Sequence, residues 1–499
     1  MTATGAGVPS RPLRAARGPR LVPRLLRLEL HRSTLLRLLP LLAMLLAFTE
    51  LRNDLSHAPL WAVRSIDVQV QVELTGAIVA GVAAWTAARD GRRHLTDLVT
   101  ATSRPQWVRQ LASWAAVTIW ALLFYAACVA VVFVVTARQA TWGGPIWWLP
   151  GVGAAAIAAF SAAGFAFGAF FPGRFTAPLV TVGAVFAPQI GVLALQRNLA
   201  WGRVSPARDA TVPGSGIFFP FHAGLSIVQI MFLAGLTLTA LGALALPVTA
   251  GGQRLRRAGA MMALAGLAAV GTGVALASTA RLEAEGVIIP ALHTAASDKL
   301  ITYTPACDNS AVVPVCLHPA FRAQLPGLAA YLDPALRQVA GLPGAPVRVQ
   351  LGTGTPQDIN GSTSIPGPAI SGSPPVLYLS PSLLIPSGSS IAQILGPTAA
   401  VTIIQNVIYG RPAEGGSAVS PAQHAIAAAL LKAAGVPLLA PSAAGGRQPG
   451  NGVPGPAPGS PAWAAAHRFA ALPAAARHAW LAAHLAALRT GRITLAEIP

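Results

Sequence analysis

Read from its amino terminus, the chain alternates long apolar runs with short polar connections. A bilayer crossing needs about 20 consecutive apolar residues. Seven stretches are read as spans: 34–50, 72–88, 111–135, 149–171, 176–195, 223–247 and 258–279. Only "FPGRF" parts the fourth from the fifth, where Pro172, Gly173 and Arg174 interrupt a helix, so 149–195 is either two full spans or a broken pair. After Ala280 nothing reads as long and apolar enough to cross, and the pattern changes. Residues 281–440 mix strand-like runs ("GVIIPAL", "APVRVQLG", "PVLYLS") with helical ones ("FRAQLPGLAAYLDPALRQVAG", "IAQILGPTAAVTIIQNVIYG"), which predicts an α+β domain. A Gly- and Pro-rich linker (441–461) and a helical segment (462–499) follow, while 1–20 read as a disordered basic tail.

Composition supports a membrane protein. The chain is 54% hydrophobic and 10% charged, against about 25% charged residues in soluble domains. Its net charge of +19 comes almost wholly from arginine, since Lys299 and Lys432 are the only lysines. These arginines cluster beside apolar spans, so the basic excess points to a lipid surface and not to nucleic acid.

Their distribution also orients the chain. Arg11, Arg14, Arg17, Arg20, Arg24, Arg27 and Arg32 precede the first span, five arginines lie between the second and third, and Arg254, Arg256 and Arg257 precede the seventh. The alternate connections are poorer. The positive-inside rule then places the amino terminus in the cytoplasm and everything after Ala280 outside the cell membrane. Cys307 and Cys316, nine residues apart in that outer part, are expected to form a disulfide. Trp142, Trp147, Trp148, Trp201, Phe218, Phe219 and Phe221 fall at outer span ends, as an aromatic belt would. Cys128 lies within a span and reads as core. Residues 21–32, "LVPRLLRLELHR", predict a helix lying in the interface with its arginines toward headgroups.

The connection "RDGRRHLTDLVTATSRPQWVRQ", Arg89 to Gln110, holds five arginines, two aspartates and a histidine between two apolar runs. Leu95, Leu98, Val99 and Thr102 recur at helical spacing, with Arg92, Arg93 and Asp97 mostly elsewhere around the helix. Such a stripe either lies on lipid as an ordinary positive-inside loop or docks onto a partner.

This stretch, "AARDGRRHLTDLVTATSRPQWVRQLAS", resembles the segment between the second and third spans of ABC-2-type permeases, the membrane subunits of many ABC exporters. Gly91, Leu95, Leu98, Thr102, Ser103 and Arg104 fit the pattern, whereas Asp90 stands where Glu is usual and Gln110 where Lys is customary. "LLRLELHRSTLLRLLPLL" is similar to the family's elbow helix and first span, and "GFAFGAFFPGRFTAPLV" to its fourth-to-fifth span region. The likeness covers about residues 20–250. It implies a mainly α polytopic membrane protein with a six-helix ABC-2-type core, to which a seventh span (251–280) and an α+β extracytoplasmic domain are added. It further implies that 89–110 contains a coupling helix, with Arg92, Arg93, Leu95, Asp97, Leu98, Val99, Thr102 and Arg104 contacting an ATP-binding subunit.

No G-x-x-x-x-G-K-[ST] occurs, so the ATPase is expected as a separate chain, with this chain in a homodimer or a paired permease. No H-E-x-x-H or G-x-S-x-G occurs either, and no catalytic residue, metal or cofactor is expected. Gly164 and Gly168 form a small-xxx-small pair suited to close helix packing, within the subunit or between copies. Arg37, Glu50 and Glu73 lie at span edges, where an intramembrane role and snorkelling to the headgroups both remain open. The competing reading is a membrane-tethered extracytoplasmic enzyme or sensor, for which seven spans exceed what an anchor needs.

Overall fold

A computed structural model describes residues 21–47, 59–89, 106–196, 200–206, 217–247, 252–283, 286–294, 298–352, 368–379, 390–410, 419–437 and 455–499. The chain is mainly helical, and each of the seven apolar stretches falls on a helix. Helices α1 (Leu21–Arg32) and α2 (Thr34–Leu46) meet at Ser33. Next come α3 (Trp61–Val70), α4 (Val72–Ala87), α5 (Gln106–Gln139), α6 (Trp148–Phe170) and α7 (Thr176–Gln196). A short turn of helix, α8 (Ala200–Arg203), leads to α9 (Gly224–Ala243) and α10 (Gly252–Ser278).

Six helices among the described residues are long and apolar enough to cross a membrane, which suggests a multi-pass membrane protein. They are Trp61–Ala87, Trp107–Gln139, Trp148–Phe170, Gly224–Ala243, Gln253–Ser278 and Ile391–Tyr409; Thr34–Leu45 and Thr176–Gly191 are shorter apolar helices. The second span therefore starts at Trp61 and not at residue 72, because α3 runs into α4 through Gln71. The polar Arg64, Ser65, Gln69 and Gln71 break the apolar run in the sequence. All four are buried, so they face other helices and not lipid, and a hydropathy reading loses the first eleven residues of the helix.

Close approach of backbones organises the bundle. A Cβ on Gly164 would lie 2.7 Å from the Cα of Ala80, and one on Gly168 would lie 2.7 Å from the Cα of Ala84. Both glycines thus press α6 onto α4, so their contact is inside the chain. On its other side α4 meets α7, where Gly81 abuts Thr181. The turn between α6 and α7 is closed by the Thr176 hydroxyl, which donates to the Phe171 carbonyl and accepts from the Gly173 N–H at 3.2 Å.

After α10 a hairpin, β1 (Arg281–Glu283) and β2 (Gly286–Ile288), leads into the C-terminal domain. Its strands are β3 (Ala306–Asp308), β4 (Val315–Leu317), β5 (Arg348–Leu351), β6 (Ala369–Ser371) and β7 (Val376–Leu379). They form a mixed five-stranded sheet in the order β3-β4-β5-β7-β6, parallel at β4–β5 and β5–β7 and antiparallel at both edges. Cys307 and Cys316 are cross-strand partners and form a disulfide.

Helices α11 (Leu325–Val339), α12 (Ile391–Tyr409), α13 (Pro421–Ala433), α14 (Pro461–Ala471) and α15 (Ala474–Arg489) complete the domain. The expectation that nothing after Ala280 is long and apolar enough to span needs correction, since α12 meets that description. Its apolarity has another cause. Ile391, Ala400, Ile404 and Ile408 are buried in one core with β4, β5 and β7 and with α11, α13 and α15, and a helix apolar on all sides suits a domain centre. A Ser390–Gln393 capping box starts it, and Gly410, at φ 82°, ends it. The terminal helices join this core through Phe469, Leu481 and Leu488.

Candidate functional site

Both ends of the 89–110 connection are fastened at the bundle face opposite the C-terminal domain. At the end of α4, Arg89 pairs with Glu29 of α1 at 3.6 Å. At the start of α5, the Trp107 indole N–H donates to the Leu241 carbonyl of α9 at 3.2 Å, and about four turns further along α5 the Trp120 indole N–H donates to the Leu30 carbonyl of α1 at 3.0 Å. Four elements that are distant in sequence thus meet around the connection. Arg92, Arg93, Leu95, Asp97, Leu98, Val99, Thr102 and Arg104 lie outside the described residues, as does Glu50. Arg37 is exposed and borders a cavity of about 720 Å³ between α1, α2, α4 and α5.

Within the bundle, α7 stands away from α6 and leaves apolar space on that side. One cavity of about 550 Å³ lies between Ala80 of α4, Phe160 and Gly164 of α6, and Leu179 and Ala184 of α7. A second, of about 260 Å³, shares Phe160, Ala163 and Ala187 and continues to Trp201, Ser205 and Phe232. Glu73 is near the middle of the continuous Trp61–Ala87 helix and not at a span end. It accepts a hydrogen bond from Gln189 of α7 at 3.4 Å.

A buried polar layer, invisible as a motif in the sequence, ties the bundle together nearer the C-terminal domain. Gln69 donates to the Pro206 carbonyl at 2.8 Å, and Gln229 donates to that of Ser205 at 3.0 Å. Arg203 donates to the carbonyls of Ala277 and Ala280 at 3.0 and 2.7 Å, where α10 ends. The 200–206 segment therefore anchors α3, α9 and α10 at once, and a cation beside a helix C-terminus is favourably placed. A period-3.6 spacing of Ser65, Gln69 and Glu73, or of Ser226 and Gln229, is the only sequence signal for this layer.

The C-terminal domain rests on the other ends of the helices. Leu60, just before the second span, Val63 in its first turn and Ile217–Phe219 share its core. The Thr141 hydroxyl donates to the Pro319 carbonyl at 2.6 Å, and the Ile301 N–H donates to that of Phe218 at 2.7 Å. His318 sits at the centre of this junction with no exposed surface. Its ring centroid is 4.2 Å from that of Tyr303, 4.9 Å from Trp142 and 5.2 Å from Phe218. His318 Nδ1 accepts the Ala320 N–H at 3.1 Å, and burial pushes its pKa down to about 4.

These contacts revise the aromatic belt. Phe218 and Phe219 are buried under the domain and Trp142 packs on His318, whereas Trp147, Trp148 and Trp201 are exposed. Among the described residues no His, Cys, Asp or Glu cluster fits a metal ion. His478 Nε2 donates to the Ala340 carbonyl at the end of α11 at 2.8 Å, and His484 Nδ1 donates to the Trp480 carbonyl one turn before it at 2.8 Å. Comparison with protein-family models, curated proteins and solved structures gives no match.

Proposed function

We propose that the chain is the transmembrane subunit of an ABC-type exporter, driven by a separate ATP-binding subunit. In this reading α2 to α9 form a six-span permease core, α10 is an additional span, and the C-terminal domain is extracytoplasmic. The observation that carries it is the placing of the 89–110 connection. Its flanks are tied to α1 and α9 at the face opposite the C-terminal domain, where a push would reach several helices together. The arginine asymmetry supports a cytoplasmic position for that face. Closure of an ATPase dimer would press on the segment Arg92–Thr102, expected from its sequence to be a helix, and rock α4 and α5 against the remaining spans. The apolar space beside α7 offers a wall suited to an apolar cargo.

The test is purification of the full chain from its own cells after mild cross-linking. The expected result is co-purification of an ATP-binding protein. Replacing Leu95 and Leu98 with Asp is expected to abolish it while the chain still elutes as the unsubstituted protein does. If no ATP-binding protein accompanies the chain, or if the paired substitution leaves it bound, the reading is wrong.

A further inference from the structure

The cavity bounded by α1, α2, α4 and α5 has mostly polar walls, although it is set among membrane helices. We propose that it binds the phosphate of an anionic phospholipid headgroup. This assignment does not depend on the transport reading.

Charge is the first argument. Arg32, Arg37 and Arg89 border the cavity, with Glu29 as the acid. Glu29 is engaged by Arg89 at 3.6 Å. Among the described residues neither Arg32 nor Arg37 has an ion-pair partner, so two guanidinium groups at the rim remain available. Arginine is well matched to phosphate because its planar fork donates two parallel hydrogen bonds.

The second argument is an unmet donor. Ser33 lines the cavity and is only 5% exposed, yet its hydroxyl has no hydrogen-bond partner. A buried hydroxyl without a partner is costly. Ser33 is also the N-cap of the 13-residue α2, and its side chain does not cap the helix. No acidic residue occupies the first turn of α2, so its N-terminal N–H groups and the positive end of its dipole are uncompensated. An anion at this place would accept hydrogen bonds from the Ser33 hydroxyl, from α2 backbone N–H groups and from the two arginines together.

The surroundings favour a lipid over a soluble phosphate. Ala116 and Val117 of α5, each 1% exposed, give the cavity an apolar floor. Leu41 and Met44, further along α2, are 58% and 65% exposed, as lipid-facing residues are. Helix α1, with its mixed arginines and leucines, is suited to the headgroup layer. A headgroup phosphate in the cavity would leave its acyl chains against α2 and α5.

The test uses the purified full chain in mixed micelles with either phosphatidylglycerol or phosphatidylcholine, with bound lipid read by native mass spectrometry. Phosphatidylglycerol is expected to be retained and phosphatidylcholine to wash away. Arg32→Gln and Arg37→Gln should each weaken retention about fivefold, and Ser33→Ala should weaken it too. Arg27→Gln, on an exposed α1 position outside the cavity, should leave it unchanged. Equal retention of both lipids, or an equal loss with Arg27→Gln, would show a diffuse surface attraction and overturn the proposal. Displacement of the lipid by excess glycerol phosphate would mark a soluble phosphate-ester site and overturn the lipid assignment. Should a glutamine variant not elute as a folded protein, Ser33→Ala, which alters no charge, decides the matter.

Discussion

Substitution of Gly164 and Gly168 by alanine probes the contact that sets the spacing of α4 and α6. Each new Cβ would sit 2.7 Å from a Cα of α4, whereas carbon atoms pack at about 3.5–4.0 Å. The helices must therefore separate by about 1 Å, since the obstruction is backbone and cannot rotate aside. Overpacking of this kind costs about 1–3 kcal/mol. One outward shift of α6 relieves both clashes, because Ala80 and Ala84 lie one turn apart on the same helix. The double variant should therefore cost little more than the worse single one, and fall short of additivity by about 1 kcal/mol. Gly271→Ala in α10, where a Cβ would meet nothing within 4 Å, is the control and should be neutral or slightly stabilising. Thermal unfolding of the full chain in detergent reads all four variants. Unchanged midpoints for the single variants, or full additivity in the double, would refute the reasoning.

Other contacts give further outcomes. His318 is held neutral in the folded domain, with its pKa lowered to about 4 from the usual 6.5. Between these values the unfolded chain takes up a proton that the folded one does not, so stability falls as pH drops from about 6.5 to about 4, by at most about 3 kcal/mol. His318→Asn should flatten that dependence in pH-resolved melting curves, and an identical slope in the variant would count against this origin. Removing the cross-strand disulfide with Cys316→Ser frees a loop closed over nine residues and should cost about 2–3 kcal/mol in denaturant titrations. Arg489 donates to the carbonyls of Val407 at 2.8 Å and Pro343 at 2.6 Å. Arg489→Ala should destabilise the C-terminal domain by about 1–3 kcal/mol, and a smaller loss by the same titration would show that water replaces the guanidinium.

Apolar run length announced α2, α4, α5, α6, α7, α9 and α10, because lipid-compatible helices must be apolar over most of their surface. It failed at Trp61–Val70, where Arg64, Ser65 and Gln69 make the segment look like a loop. A polar residue turned toward other helices is indistinguishable, in one sequence, from one turned toward water. Strand-like runs likewise located β5 and β7, but "GVIIPAL" went to a separate hairpin and not to the sheet. The sequence reading placed α12 in the α+β domain but missed that it is as long and apolar as a span, since membrane spans and core helices share the same pattern. The disulfide was legible from the nine-residue spacing of Cys307 and Cys316 together with the outer placement expected from the arginines. The cavity at Ser33 was not, because it depends on Arg32, Arg37 and Arg89 converging from two separate segments.

The junction around His318 has a geometric consequence for any motion of the bundle. One folded domain holds Leu60, Thr141 and Phe218, which belong to three separate connections on the same side. While those contacts persist, the distances between these helix ends are fixed by a single solid body. Relative motion of the helices then has its fulcrum at that side and its largest excursion at the other. Helix α5, with 34 residues, is about 51 Å long. A tilt of about 10° at the fulcrum would sweep its far end through about 9 Å, with Trp107 and the arginine-rich connection riding on the moving end.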